Sequence, residues 1–351
     1  MLSRRSLLAA VPVAALSVTL AACSTGSTSS QDASTSGSAS SAAGGAFPQT
    51  VTHAYGSTTI TAAPKRIATV GWNDQDVVAA LGQLPVAATK ITWGGNAAGS
   101  TDWFDAKARE LGGDPASITR YDDSAGTPID EIAQATPDLI LAVNSGITRE
   151  EYAKLSKIAP TVAFPKTAWA TTWQDSVTKI SQALGKPQAG SELMASTQQV
   201  IDDGAARYPE LKGKKAAWIW FTATDLSTIG LYTSSDARAS MLRAFGMVDA
   251  PVVSRLSKGT TQFSANLSAE KASTLDADLV VFYQEKAGQA QQLRSNALIG
   301  QIPALKSGHY VASADNETAL SMSLPSPLSL PVAVTSFLPK LASAAKGTPA
   351  Q

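Results

Sequence analysis

Aromatic and polar side chains collect in this sequence where strands should end. Trp72 and Asn73 follow the apolar run 66–71, and Trp93 sits in the loop after 84–89. Arg120 and Tyr121 close a run that starts near Ile118. Asn144 and Ser145 follow 138–143, and Trp169 lies just past Phe164. Later in the chain, Phe221, Tyr232 and the pair Tyr283-Gln284 stand at strand ends. Arg238 falls in the first turn of a helix and Met322 in a late loop. In parallel sheets a ligand lies beyond the carboxyl ends of the strands. Residues of these types at those places make an aromatic wall with a few polar contacts, which is the chemistry of recognition. Core packing is an equal claim for any single aromatic. The collective pattern carries more, because several of the seven Trp lie outside strand interiors. Arg120 and Arg238 suit a carboxylate or a negative complex, or ordinary surface ion pairs.

Bond-breaking chemistry finds less support. A metal held directly by protein needs several His, Cys or clustered carboxylates. The chain has His53 and His309, far apart, and one Cys, so direct capture of zinc or manganese is not expected. Phosphate-loop and dinucleotide glycine patterns are missing from the strand-to-helix turns. No Gly-x-Ser-x-Gly elbow follows a strand. Ser145 with His309 as its base would be a nucleophile pair without an elbow to present it.

The elements that must position these residues alternate. Apolar runs at 66–71, 84–89, 118–121, 138–143 and 161–164 are separated by helical segments, with Asp74 a plausible N-cap and Thr148 another. This alternation predicts a parallel sheet covered by helices. Residues 187–209 then form one long amphipathic helix, opened by Pro187 and stopped by Pro209. At 1.5 Å per residue it spans roughly 30 Å, which suits either a strut between two lobes or a core helix. After it the alternation restarts at 215–222, 227–233, 278–283 and 309–313. The two halves also echo one another. Asp130 lies eight residues before Asp138, which opens the run Leu139-Ile140-Leu141, and Glu270 lies eight before Asp278, which opens Leu279-Val280-Val281. Paired units on either side of a long helix favour the strut.

The ends and composition set further bounds. Arg4 and Arg5, the apolar run 7–20 and Leu20-Ala21-Ala22-Cys23 read as an export signal. Small residues before a lone cysteine resemble a bacterial lipobox, in which Cys23 becomes the lipid-bearing N-terminus. Ser3-Arg4-Arg5-Ser6-Leu7-Leu8 also resembles a twin-arginine signal. Residues 23–46, rich in Ser, Gly and Ala, cannot bury enough apolar surface to order themselves, and as a coil they reach roughly 25 Å. Loss of residues 1–22 removes two arginines and no acid from a chain of formal net charge +0, which argues against a nucleic-acid partner. Without a second cysteine the folded part has no disulfide.

At this point a family resemblance emerges. The lipobox, the strand entry Pro64-Lys65-Arg66-Ile67, the segment Thr136-Pro137-Asp138-Leu139-Ile140 and its match Asp276-Ala277-Asp278-Leu279-Val280, with the long helix between, resemble the solute-binding lipoproteins of iron–siderophore and cobalamin ABC importers. The likeness covers residues 47 to about 345. It implies an α/β fold of two Rossmann-like lobes, 47–185 and 211–351, joined by an interdomain helix at 186–210, with a ligand cleft between them. It implies a monomer with no enzymatic step and no cofactor, in which iron enters only as a chelated complex. The partners it implies are a ferric siderophore, an ABC permease and, through acylated Cys23, the outer face of the cytoplasmic membrane. By position, Asp130 and Glu270 match the two acidic residues, one per lobe, that meet arginines on the permease. The family usually has Glu at the first place, where this chain has the shorter Asp. Cobalamin or haem on the same scaffold, an anchored α/β hydrolase using Ser145, and an adhesion or signalling module are the competing expectations.

Overall fold

The computed structural model describes residues 47–222 and 224–351. The export signal, Cys23 and the tether fall outside the described residues. A hairpin opens the folded part, β1 (Gln49–His53) against β2 (Gly56–Ile60), turning through Gly56 at φ +128°. Then come β3 (Ile67–Thr69), α1 (Asp74–Ala80), β4 (Ala87–Thr89), α2 (Asp102–Glu110), β5 (Thr119–Tyr121), α3 (Ile129–Gln134), β6 (Leu139–Ala142), α4 (Arg149–Leu155), β7 (Thr161–Ala163) and α5 (Trp173–Ala183). The five strands β3–β7 form one sheet, ordered β5-β4-β3-β6-β7, and every pairing is parallel. Strands β3, β4, β6 and β7 are buried throughout, as a sheet covered on both faces requires. Thr148 caps α4 in a capping box with Glu151.

The long helix α6 runs Pro187–Ala206, 20 residues, with Pro187 in its first turn. Its buried face is Gly190, Thr197, Ile201 and Gly204. Two glycines permit close approach: a Cβ at Gly190 would strike Ser181 of α5, and one at Gly204 would come within 2.7 Å of Val334. The helix thus packs on elements from both halves of the chain.

The second lobe comprises β8 (Lys215–Thr222), β9 (Asp225–Tyr232), α7 (Ala237–Ala244), β10 (Val248–Asp249), α8 (Pro251–Ser257), β11 (Ser264–Ser268), β12 (Leu279–Tyr283), α9 (Gln289–Ser295), α10 (Pro303–Ser307), β13 (Tyr310–Ser313), α11 (Asn316–Ser323), α12 (Ser329–Val332) and α13 (Leu338–Ala345). Its sheet runs β11-β9-β8-β12-β13, with β10 also on β8. Unlike the first sheet, this one is mixed. β9 folds back antiparallel on β8, and β11 is antiparallel to β9. The segment 248–268, with α8 and β11, and the helices α9 and α10 have patterns too short or too polar to announce themselves. Met322, expected in a loop, is fully buried in α11.

The echo between the halves is a physical clasp. The Asp138 N–H donates to the Arg66 carbonyl at 2.8 Å, and its carboxylate accepts the Lys65 and Arg66 N–H groups at 2.8 Å each. The Asp278 N–H donates to the Lys215 carbonyl at 2.8 Å, and its carboxylate accepts the Lys215 N–H at 2.8 Å. In each lobe the Asp that opens one central strand therefore pins the start of its neighbour.

After β13 the chain returns to the first lobe. Asn73 Nδ2 donates to the Pro325 carbonyl (3.0 Å), Ser326 Oγ to the Asp76 carboxylate (2.7 Å), and the Asp102 N–H to Glu317 (3.0 Å). One apolar cluster runs from Val77, Val177 and Ile180 through Ile201 to Trp218, Phe337 and Leu341.

Candidate functional site

The first-lobe side of the site is set by a buried acid. The Asp74 carboxylate accepts the N–H groups of Val143 (2.7 Å) and Asn144 (3.0 Å), tying the turn after β3 to the end of β6. Asp74 is therefore the first residue of α1 and not its N-cap, because its carboxylate faces inward. Burial pushes its pKa up to about 6, while these backbone N–H groups restrain the rise. The tie brings Asn144 Nδ2 to Asn73 Oδ1 at 2.8 Å. Nearby, Trp169 adopts φ +59°, a left-handed conformation costly for a bulky residue. Its N–H is held by the Ser145 carbonyl at 3.1 Å, and its indole covers Gly146, where a Cβ would collide with the ring. Trp169 as a whole remains 54% exposed.

The second-lobe side is organised around Arg238. Asp236 caps α7 by accepting the Arg238 N–H at 2.8 Å, and it also accepts the guanidinium Nη1 at 2.9 Å. Arg238 Nε donates to Tyr283 Oη at 2.7 Å, and the guanidinium lies 4.0 Å from the centre of the Tyr232 ring. Burial raises the Asp236 pKa, and Arg238 opposes that rise. Trp93, from the first lobe, meets Tyr283 edge-on at 5.2 Å.

Between these sides lies a cavity of 340 Å³, bordered by Asn144, Trp169, Thr171, Asp236, Arg238, Phe263, Ser323 and Pro325. A recess of 110 Å³ continues past Trp169 towards Trp173 and Met241, and another of 140 Å³ lies over Ser145 and Ile147 beside Asp123 and Glu151. Trp169 borders all three.

Of the residues singled out from sequence, Asn144, Trp169 and Arg238 line the 340 Å³ cavity. Asn73, Tyr232 and Tyr283 stand directly behind them, and Trp93 behind Tyr283. Trp72 donates its indole N–H to Asp123 at 2.9 Å. Arg120 is committed within the first lobe: it bonds Gln75 and Ser100 and lies over Phe104. Four expectations need correction. Tyr121 is fully buried, with its hydroxyl on the Thr69 carbonyl. Phe221 is buried against Phe282 on the far face of the sheet. Gln284 is buried and accepts the Ala290 N–H of α9. Met322 is core, as described above. Strand parity explains Phe221 and also exposes an omission. In β8, Ile219 and Phe221 join one core and Trp218 the other, so Trp220 shares the face of Trp218. It lies over Gly230, with its ring 4.7 Å from Tyr232. Asp236, Thr171, Phe263, Ser323 and Pro325 were also missed. They come from loops and element ends, where no periodicity marks them.

The hydrolase alternative finds no geometry. Ser145 Oγ donates to the Ala142 carbonyl at 2.8 Å, while His309 pairs with Ser307 at 2.9 Å. His53 is buried and bonded to Thr58 at 3.0 Å, a structural role. Among the described residues no group of three or more His, Cys, Asp or Glu is placed to hold a metal.

Residues 67–316 match the family described as periplasmic binding protein. The chain therefore belongs to that family, whose members bind solutes for transport and do not transform them. Over 271 residues it is 28% identical to the "Probable siderophore-binding lipoprotein YfiY" of Bacillus subtilis (strain 168), covering 74% of this chain and 78% of that one. It is 27% identical over 267 residues to the Fe(3+)-citrate-binding protein YfmC of the same organism, covering 75% and 77%. The solved structure of PiaA from Streptococcus pneumoniae TIGR4 in complex with ferrichrome superposes with a TM-score of 0.79 at 35% identity, covering 85% of this chain and 99% of that one.

Proposed function

We propose that this chain is the solute-binding lipoprotein of an ABC importer, and that it captures a ferric siderophore between lobes 47–185 and 211–351 and presents it to a membrane permease. The observation that carries this reading is the cavity walled by Trp169, Phe263 and the fixed Arg238–Asp236 pair. A ferric siderophore brings its own iron ligands, so the protein needs to supply only shape, aromatic surface and a few polar contacts. The names of the relatives, siderophore-binding and Fe(3+)-citrate-binding, agree with it.

In this reading Cys23 carries the lipid that holds a monomer on the outer face of the cytoplasmic membrane, and residues 24–46 are its tether. Asp130 and Glu270, both solvent-exposed, each near the start of a helical turn, are the docking acids for the permease. Helix 186–210 sets the spacing between the lobes.

Tryptophan fluorescence of the purified chain, titrated with ferric hydroxamate, catecholate and citrate complexes, tests the ligand class. Saturable quenching by at least one is the expected result. No response to any of them, with a haem or cobalamin absorption band acquired instead, overturns the iron–siderophore assignment.

A further inference from the structure

We propose that the cleft is built for a charge-neutral ferric chelate, of the trihydroxamate kind, and rejects complexes of net negative charge. This rests on the reading above, that the ligand is a ferric siderophore, and adds its chemical class. The basis is the balance of ionisable groups around the three cavities that meet at Trp169.

The 340 Å³ cavity has two such groups, Arg238 and Asp236, and they are bonded to each other at 2.9 Å. The 110 Å³ recess has none. The 140 Å³ recess carries Asp123 and Glu151 and no cation. Of the other arginines near this region, Arg120 is spent on Gln75 and Ser100 inside the first lobe, and Arg149, outside the cavity linings and exposed, lies over the Tyr55 ring. Among the described residues the single cation lining the cavities is therefore already neutralised, and the charges left over in the lining are acids.

Iron(III) chelated by three hydroxamates is neutral, because the ligand charges cancel the metal's. Chelated by three catecholates it carries three negative charges, citrate complexes are anionic too, and haem brings two propionates. An anion entering this cleft loses its hydration and finds no free countercharge, which is strongly unfavourable. A neutral chelate loses little. Its apolar surface meets Trp169 and Phe263, and its amide or hydroxamate oxygens can accept from Arg238 Nη2, which has no hydrogen-bond partner among the described residues.

The test is calorimetric titration of the full-length chain in neutral detergent with a ferric trihydroxamate, a ferric tris-catecholate and ferric citrate, each at low and high salt. The trihydroxamate is expected to bind at least roughly tenfold tighter than either anion, and its affinity should change by less than about twofold between 0.05 and 0.5 M salt. Asp236→Asn keeps an N-capping side chain but frees the Arg238 charge. It should raise affinity for the tris-catecholate relative to that for the trihydroxamate by roughly tenfold. Tighter binding of either anion by the native chain overturns the charge inference while leaving the siderophore reading in place. So does an unchanged ranking in a folded Asp236→Asn. Binding of none of the three overturns the siderophore reading and the inference together. If Asp236→Asn does not fold, the ranking and salt dependence of the native chain decide.

Discussion

The clasps fix the two lobes in register, and β3 can then be laid beside β8. Arg66 corresponds to Lys215, Ile67 to Ala216, Ala68 to Ala217 and Thr69 to Trp218, each with the same neighbour relation on β6 or β12. Two residues further, Gly71 corresponds to Trp220, and there the lobes part. At Gly71 the chain turns into α1, and the Asp74 carboxylate fills the space a side chain would take. At Trp220 the strand continues to Thr222 and folds back as β9. One lobe ends its strand in a buried acid and a ring of loop residues. The other extends its sheet into an aromatic platform of Trp220 and Tyr232. The shared part of the unit holds the sheet together, and the divergent part makes the two unlike walls of the cleft.

The comparison can be broken most forcefully at Trp218. This fully buried ring stacks on Phe337 at 5.2 Å, so Trp218→Ala should cost about 3–5 kcal/mol in urea unfolding. A loss under about 1 kcal/mol would mean that the second lobe does not depend on its larger residue. Gly71→Ala comes next. A Cβ there displaces the Asp74 carboxylate and strands the N–H groups of Val143 and Asn144, for about 2–3 kcal/mol. A crystal structure of that variant with Asp74 undisturbed would contradict the account.

Third is a pH dependence that belongs to the first lobe. Asp76 is buried, with Trp103 and Ser326 donating to one carboxylate oxygen and the other oxygen unpartnered among the described residues. Burial raises its pKa to about 6, while its hydrogen bonds and Arg120 restrain the rise. The folded state thus holds this proton more tightly than the unfolded chain does. The stability it contributes is complete below about pH 4 and drains away as pH rises through 6. Asp76→Asn removes that drain, so the variant should gain about 2–3 kcal/mol on the native protein between pH 4 and 7. Parallel stability curves for the two proteins would contradict it. The smallest effect is expected at Thr69, the counterpart of Trp218. Its buried hydroxyl has no partner among the described residues, so Thr69→Val should be neutral or stabilising by up to about 1 kcal/mol. A clear loss would show that the hydroxyl is bonded after all.

Much of the fold was readable in the sequence. Most of the first lobe's strands are apolar runs, helices α2, α4 and α5 carry side-chain caps, and α6 was marked by proline at its start and by its stripe. The spacing from Asp130 to Asp138 and from Glu270 to Asp278 revealed the repeat, because the clasp demands an Asp at that one position. The site was less legible. Arg238 and Trp169 stood out by type and place, but Tyr121 and Phe221 show that an aromatic at a strand end can face either way. Parity could have exchanged Phe221 for Trp220. Nothing local could have found Pro325 or Ser326, which reach the site only because the chain's last third returns to the first lobe.

That return has a consequence for how the molecule is born. A chain emerging amino end first can lay down α1 early, yet the carboxylate of Asp76 waits some 250 residues for its hydroxyl donor. Until Ser326 arrives that acid has only the Trp103 indole as a side-chain donor among the described residues, so the final stitch of the first lobe is sewn by nearly the last thread to appear.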